Sequence, residues 1–145
     1  MYRHLLIPTD GSAMANAALD KSLRFASEVG AQVTVLTVTE PFQMLSLAPE
    51  KVECSYEEYD RYFDKGADDI LNEAGKAAQA AGVVCTTQKS KSSDPARTIV
   101  DKAAEQGCDL IAMASHGREG FKAFMLGSVT MKVLANSQTP VLVYR

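Results

Sequence analysis

The chain has few of the residues that build metal centres or covalent cross-links. It contains no tryptophan, two histidines and three cysteines, and no two cysteines form a CxxC pair. Because the histidines and the cysteines are widely spaced, we expect neither a zinc site nor a dithiol redox centre. We expect His4 on the surface, and Cys54, Cys85 and Cys108 as reduced thiols of a cytoplasmic protein.

Basic charge and long apolar runs are also scarce. A formal net charge of -3 argues against a non-specific nucleic-acid partner, because such proteins need a basic face. No apolar run approaches the roughly 18 residues of a membrane span, so we expect no membrane partner. The first residues lack the length and cleavage site of a signal peptide. The length of 145 residues, 46% of them hydrophobic, predicts one globular domain over 1–145.

Short apolar runs alternate regularly with longer amphipathic segments. Apolar, β-branched runs predict central strands at 5–7, 33–38 and 109–113. Thinner runs predict an edge strand at 83–88 and a last strand at 140–144. Between them, apolar residues recur every three or four positions, which predicts four helices. This order predicts an α/β fold: a single doubly wound, mainly parallel five-stranded sheet with helices on both faces.

Capping residues mark several of the helix ends. Ser12 is a suitable N-cap for the first helix, and Gly30 a suitable end. Asp94, followed by Pro95, opens the third helix. Residues 39–55 lack a clear period and form the longest predicted loop.

Small and hydroxyl-bearing residues follow the fourth predicted strand. The stretch 114–117, Ala-Ser-His-Gly, leaves that strand, and 127–130, Gly-Ser-Val-Thr, enters the next helix. Glycines let backbone N–H groups approach an anion, and the first turn of a helix adds unpaired N–H donors and partial positive charge. We expect Ser128 and Thr130 to add hydroxyl donors, and Arg118 and Lys122 lie between the two stretches. The pattern predicts a phosphate-binding loop.

A second polar loop, residues 8–12, follows the first strand. In an open parallel sheet, ligands bind beyond the carboxyl ends of the strands, where the strand order reverses. If strands one and four are neighbours there, Asp10 lies beside the phosphate-compatible loop. Two roles remain open for Asp10: contact with ribose hydroxyls or a bridging metal ion, or simply a cap of the following helix.

Other nucleotide and catalytic patterns are missing or unconvincing. Neither GxGxxG nor GxxxxGK[ST] occurs, which argues against an NAD enzyme and a P-loop NTPase. Ser115 and His116 are adjacent, and neighbouring side chains of an extended segment point in opposite directions. We therefore predict that they do not pair directly and that His116 orders the loop.

These motifs resemble those of the universal stress protein family, over essentially the whole chain. The resemblance is carried by residues 6–12, 110–118, 127–130 and 140–143. The nucleotide-binding branch of that family has the pattern Gly-x2-Gly-x9-Gly-Ser/Thr. Here Gly117, Gly127 and Ser128 match it, and Ala114 stands where the first glycine is expected.

The resemblance implies strand order 3-2-1-4-5, a homodimer formed through the last strand, 140–145, and an adenine nucleotide ligand. The ligand implied is ATP or AMP, with Mg²⁺ accompanying ATP. Two alternatives remain: a dimeric stress or interaction protein that binds no nucleotide, and a slow ATPase. The site residues implied are Pro8, Thr9 and Asp10 beside the nucleoside, Val38 beside the adenine through its backbone, Met113 at the floor of the pocket, and Gly117, Arg118, Gly127, Ser128, Val129 and Thr130 around the phosphates.

Overall fold

One parallel sheet forms the centre of the protein. The structure, a computed structural model, describes residues 1–41, 55–117 and 126–145. The strand order is β3-β2-β1-β4-β5 and each neighbouring pair is parallel. The predicted α/β fold and strand order are thereby confirmed. The strands are β1 (His4–Pro8), β2 (Gln32–Thr39), β3 (Cys85–Lys91), β4 (Leu110–Ala114) and β5 (Val141–Tyr144).

Four helices of the described residues connect these strands. They are α1 (Ala13–Val29), α2 (Tyr56–Ala80), α3 (Pro95–Glu105) and α4 (Ser128–Asn136). The predicted caps are confirmed: Ser12 accepts a hydrogen bond from the N–H of Ala15, and Asp94 accepts one from that of Arg97. Gly30 ends α1 with a left-handed φ of 71°, which a residue without Cβ adopts at little cost.

The helices cover both faces of the sheet. Alternate side chains of β1, β2 and β4, such as Ile7 and Val35, pack with α1 and α2 in one apolar cluster. The intervening side chains, such as Leu6 and Ile111, pack with α3 and α4 in a second cluster. Both faces of the central strands are therefore buried, which explains their continuous apolar sequences.

Strand β3 is the edge strand that the sequence predicts, but it starts and ends later than 83–88. Its register with β2 runs from Val33↔Cys85 to Thr39↔Lys91. The bounds of β3 are therefore set by its pairing with the long strand β2, and not by the few apolar residues in its own sequence. Lys89 lies 2.8 Å from Asp64 and from Asp68 of α2, and Lys91 pairs with Asp60. Charged side chains of this kind discourage edge-to-edge aggregation.

The start of the chain is fixed to the amino end of β4. The Asp109 carboxylate accepts hydrogen bonds from the backbone N–H groups of Arg3 and His4, at 2.9–3.1 Å. His4 is half-buried, and its Nε2 lies 2.7 Å from Thr34 Oγ1, so the expectation of a surface histidine is wrong. The contact of His4 with Thr34 is not evident from the sequence, because Thr34 lies on a neighbouring strand.

This anchor predicts a pH-dependent contribution to stability. Partial burial favours a higher pKa for Asp109, but the hydrogen bonds from His4 and Arg3 outweigh it and hold the pKa below its ordinary value. Because the folded pKa is depressed, the stabilisation is present above the unfolded pKa of about 4 and is lost as pH falls through the folded pKa. We expect Asp109→Asn to lower the free energy of unfolding by about 1–3 kcal/mol at pH 7.

Urea denaturation at pH 7 and at pH 3 measures this effect. The difference between the variant and the wild type should shrink at pH 3. Asp101→Asn, which removes an exposed partner of Arg97, is the control and should change little. Equal stability of Asp109→Asn and wild type at pH 7 would contradict the assignment.

Candidate functional site

Strands β1 and β4 stop pairing before their carboxyl ends, and the region between the loops that follow them, residues 8–12 and 115–117, is called the crevice. Strand β1 pairs with β2 along its whole length, from His4↔Gln32 to Pro8↔Leu36. With β4 it pairs only at Leu5↔Leu110 and Leu6↔Ile111. The two strands part towards their carboxyl ends, at the point where the strand order reverses. This is the position at which open α/β sheets bind ligands.

The loops that leave β1 and β4 meet across this crevice. A Cβ atom built on Gly117 would lie 2.6 Å from Oδ2 of Asp10. The carboxylate of Asp10 therefore lies against the backbone of Gly117, and a side chain at position 117 would make the carboxylate shift. The sequence-based expectation that Asp10 lies beside the second loop is confirmed.

Asp10 does not cap α1. Its Oδ1 accepts a hydrogen bond from the N–H of Ser12 at 2.9 Å, and the N-cap itself is Ser12. Of the two roles left open by the sequence, the simple helix cap is therefore excluded. The carboxylate instead orders the loop and lies at the crevice, against Gly117.

The first turn of α4 is held tightly against the end of β4. The N–H of Gly127 donates to the carbonyl of Ser115 at 2.7 Å. A Cβ on Gly127 would lie 3.2 Å from that carbonyl oxygen and 3.4 Å from Cα of His116. Gly127 is the N-cap residue and provides no side-chain cap, and the first turn carries no acidic residue. Such a helix start presents N–H groups and partial positive charge to an anion.

The hydroxyl groups of Ser128 and Thr130 have different surroundings. Ser128 is exposed. Thr130 is only 2% exposed, and its Oγ1 donates to the carbonyl of Ala114 at 3.0 Å. A threonine hydroxyl has one proton, so the expectation that Thr130 offers a hydroxyl donor to phosphate is wrong. This hydrogen bond is not evident from the sequence, because Ala114 lies on a different element, the preceding strand.

Ser115 and His116 contact each other, contrary to the sequence-based prediction. Oγ of Ser115 lies 3.0 Å from Nδ1 of His116. Both residues follow the last residue of β4, so the alternation of a strand does not apply to them. They are 2% and 8% exposed, and Nε2 of His116 is buried with no hydrogen-bond partner in the structure as described. Both side chains are too buried to serve as an accessible nucleophile, and that His116 orders the loop stays a prediction.

Ala114 fits its position without strain. It is the last residue of β4, and no non-glycine residue in the described part of the chain has a positive φ. Leu110 and Ala112 pack on the α1 face of the sheet, whereas Ile111 and Met113 pack on the opposite face. By alternation the methyl group of Ala114 points to the α1 face, away from Met113. Alanine at the first glycine position therefore requires no strained backbone conformation.

The residues expected around the nucleoside lie at the carboxyl ends of three strands. Met113 is buried and Val38 half-buried, and both contact the cluster beneath α3 and α4. Pro8 ends β1, and the N–H of Thr9 continues the ladder to the carbonyl of Leu36 at 2.9 Å. Arg118 and most of the segment 39–55 lie outside the described residues.

Comparison with known proteins gives the same family over the whole length. A model described as the universal stress protein family matches residues 1–145. Universal stress protein YxiE of Bacillus subtilis is 33% identical over 152 aligned positions that cover all of both chains. The chain belongs to the universal stress protein family.

Solved structures agree with this membership. The structure of hypothetical protein MJ0577 matches with a TM-score of 0.83 and 29% identity, covering 99% of this chain and 95% of the other. A universal stress protein in complex with cAMP matches with a TM-score of 0.71 and 26% identity, covering 99% and 97%.

Two further findings concern metals and membranes. Among residues 1–41, 55–117 and 126–145 of this universal stress protein, no group of three His, Cys, Asp or Glu side chains is placed to hold a metal ion. Within the same ranges, no helix has both the length and the apolar character needed to cross a bilayer.

Proposed function

We propose that the protein binds an adenine nucleotide, ATP or AMP, in the crevice between the β1 and β4 loops. One observation carries the proposal: the Asp10 carboxylate lies against Gly117, where any Cβ would displace it, next to a helix start without a side-chain cap. An acceptor for ribose hydroxyls and a set of donors for phosphate thus lie side by side. A nucleotide is a ligand that presents both groups.

Each part of the nucleotide has a proposed partner. Backbone N–H groups at Gly117 and at the first turn of α4 bind the phosphates, with help from Arg118 and the Ser128 hydroxyl. Asp10 accepts from the ribose hydroxyls. Met113 and the backbone of Val38 border the adenine. The full proposed set is Pro8, Thr9, Asp10, Val38, Met113, Gly117, Arg118, Gly127, Ser128, Val129 and Thr130, the last through its backbone.

Family membership supports the ligand class. The relative solved with cAMP, at 26% identity, is a member with an adenine nucleotide bound.

A magnesium ion that enters with ATP would have Asp10 as its carboxylate ligand. Phosphate oxygens and water would complete the coordination shell of the ion. We propose binding rather than rapid hydrolysis, since Asp10 is the only carboxylate in the proposed set of site residues. Mass spectrometry of nucleotide released from freshly purified, denatured protein tests the ligand, and a phosphate-release assay tests the slow ATPase alternative.

The alanine in the glycine motif leads to a prediction of small effect. Because the methyl group of Ala114 points to the α1 face, Ala114→Gly should leave AMP affinity within about threefold, a difference of roughly 0.7 kcal/mol. Titration calorimetry with AMP measures this. A gain of tenfold or more in Ala114→Gly would show that the methyl group hinders the ligand.

We also propose a homodimer formed through β5, in the cytoplasm. Strand β5 is at an edge of the sheet, and its four residues are only half-buried. Nearby on α4, Met131 is 56% and Leu134 41% exposed. An uncharged edge strand beside exposed apolar side chains is a liability in a monomer, and a second copy would cover it about a two-fold axis.

Proline substitution at the free edge tests this dimer. The carbonyls of Pro140 and Tyr144 accept from β4, so by alternation the N–H groups of Val141 and Val143 face outwards. Val143→Pro removes an outward N–H while leaving the β4 pairing intact, and should convert a dimer to a monomer in sedimentation equilibrium. Thr87→Pro, at the opposite edge, is the control and should remain dimeric. A monomeric wild type at tens of micromolar would refute the dimer.

A further inference from the structure

We infer that Thr130 is a positioning residue of the crevice, whose hydroxyl holds the first turn of α4 on the end of β4. The inference rests on the proposed nucleotide site and gives one of its residues a specific task. Thr130 acts through Ala114 and not by donating its hydroxyl to the ligand. The first turn of α4 then presents its backbone N–H groups at a fixed place.

The geometry of the hydrogen bond supports this task. The bond from Thr130 Oγ1 to the Ala114 carbonyl is 3.0 Å long, is buried, and joins two elements, β4 and α4, that are separated in sequence by residues 115–127. It is therefore not the common bond from a threonine back to its own helix. It fixes the helix start relative to the strand, which a local bond would not do.

The place of Ala114 in the sheet gives a second reason. The pairing of β4 with β1 stops at Ile111, so Ala114 lies beyond the paired stretch, where the crevice has opened. Its carbonyl is buried against the helix and needs a donor. The Thr130 hydroxyl supplies that donor from the helix whose start borders the crevice.

A second contact acts beside the first. The N–H of Gly127 donates to the carbonyl of Ser115 at 2.7 Å, so two successive carbonyls, of Ala114 and Ser115, hold the same helix start. Gly127 bonds through its backbone, which a substitution does not remove. Thr130 bonds through its side chain, which makes it the contact that mutation can test.

The test compares two substitutions of Thr130 with one matched control. Thr130→Val keeps the shape and removes the hydroxyl, whereas Thr130→Ser keeps the hydroxyl. Thr34→Val is the control: Thr34 is 1% exposed, and its hydroxyl lies 2.7 Å from His4 Nε2 near the opposite end of the sheet. Both valine variants lose the hydrogen bond of a buried threonine side chain, so both should melt at lower temperature.

Titration with AMP, and separately with ATP, gives the decisive readout. We expect Thr130→Val to bind both nucleotides about tenfold more weakly, Thr130→Ser to bind within about threefold of wild type, and Thr34→Val to bind as wild type. The rescue by serine and the normal affinity of Thr34→Val separate positioning from general stability.

Three outcomes would overturn the inference. If Thr130→Val binds as wild type, the proposed function stands and the positioning role is wrong. If Thr130→Ser binds as weakly as Thr130→Val, the hydroxyl is not the group responsible. If the wild type itself binds neither nucleotide, the proposed function fails and the inference fails with it.

Discussion

Replacement of Gly127 by valine is expected to abolish nucleotide binding. A Cβ at this position would lie 3.2 Å from the carbonyl oxygen of Ser115, and valine adds two methyl groups to it. The first turn of α4 would have to move away from the end of β4, and the methyl groups would occupy the space where N–H groups meet phosphate. We expect a loss of at least 100-fold in AMP and ATP affinity, about 3 kcal/mol.

The control for this change is a glycine in open space. Gly66→Val, within α2, introduces the same side chain where a Cβ meets nothing within 4 Å. It should bind nucleotide as the wild type does, and the helix should not be weakened, because valine has a higher helix propensity than glycine. Circular dichroism should show both variants folded. Wild-type affinity in Gly127→Val would remove this loop from the site.

Asp10→Ala should weaken AMP and ATP to a similar degree. If the carboxylate accepts from ribose hydroxyls, both nucleotides lose the same charged hydrogen bonds, about 1–3 kcal/mol or roughly 5- to 150-fold in affinity. The Ser12 N–H loses its acceptor as well, so stability should fall modestly. Titration of each nucleotide with and without Mg²⁺ measures the effect.

An aspartate that only caps a helix provides the matched control. Asp94→Ala removes the N-cap of α3 and should lower stability by about 1 kcal/mol without changing affinity. A much larger loss for ATP with Mg²⁺ than for AMP would assign Asp10 to the metal instead of the ribose. Unchanged affinity for both nucleotides in Asp10→Ala would reduce it to a loop-ordering residue.

The predictions that succeeded depend on local sequence. Ser12 and Asp94 cap helices through bonds to residues three positions away, so the signal is contained in a few residues. The central strands have continuous apolar runs because both of their faces are buried. The parallel order of the sheet follows from the alternation of these elements.

The predictions that failed depend on residues that only the fold brings together. Pairing with β2 extends β3 to Lys91, although its own sequence is polar. The sequence predicts that the Thr130 hydroxyl donates a hydrogen bond to phosphate, but in the structure it donates to the carbonyl of Ala114. The contact between Ser115 and His116 depends on where β4 ends, and strand boundaries are the least certain feature of a sequence-based prediction.

The close approach of Asp10 to Gly117 is an intermediate case. The two loops carry the chemistry, which the sequence shows. Their contact depends on β1 and β4 being neighbours that part after Ile111. The motif predicts the kind of ligand, and the region where these two strands separate is where we propose that it binds.

Titration calorimetry of nucleotide-free wild-type protein with AMP tests the proposed nucleotide site. We predict saturable binding of one AMP per chain, abolished in Gly127→Val, retained in Gly66→Val, and competed by ATP. Absence of saturable binding up to millimolar AMP and ATP would contradict it. Binding that is equal in Gly127→Val and wild type would contradict the location of the site.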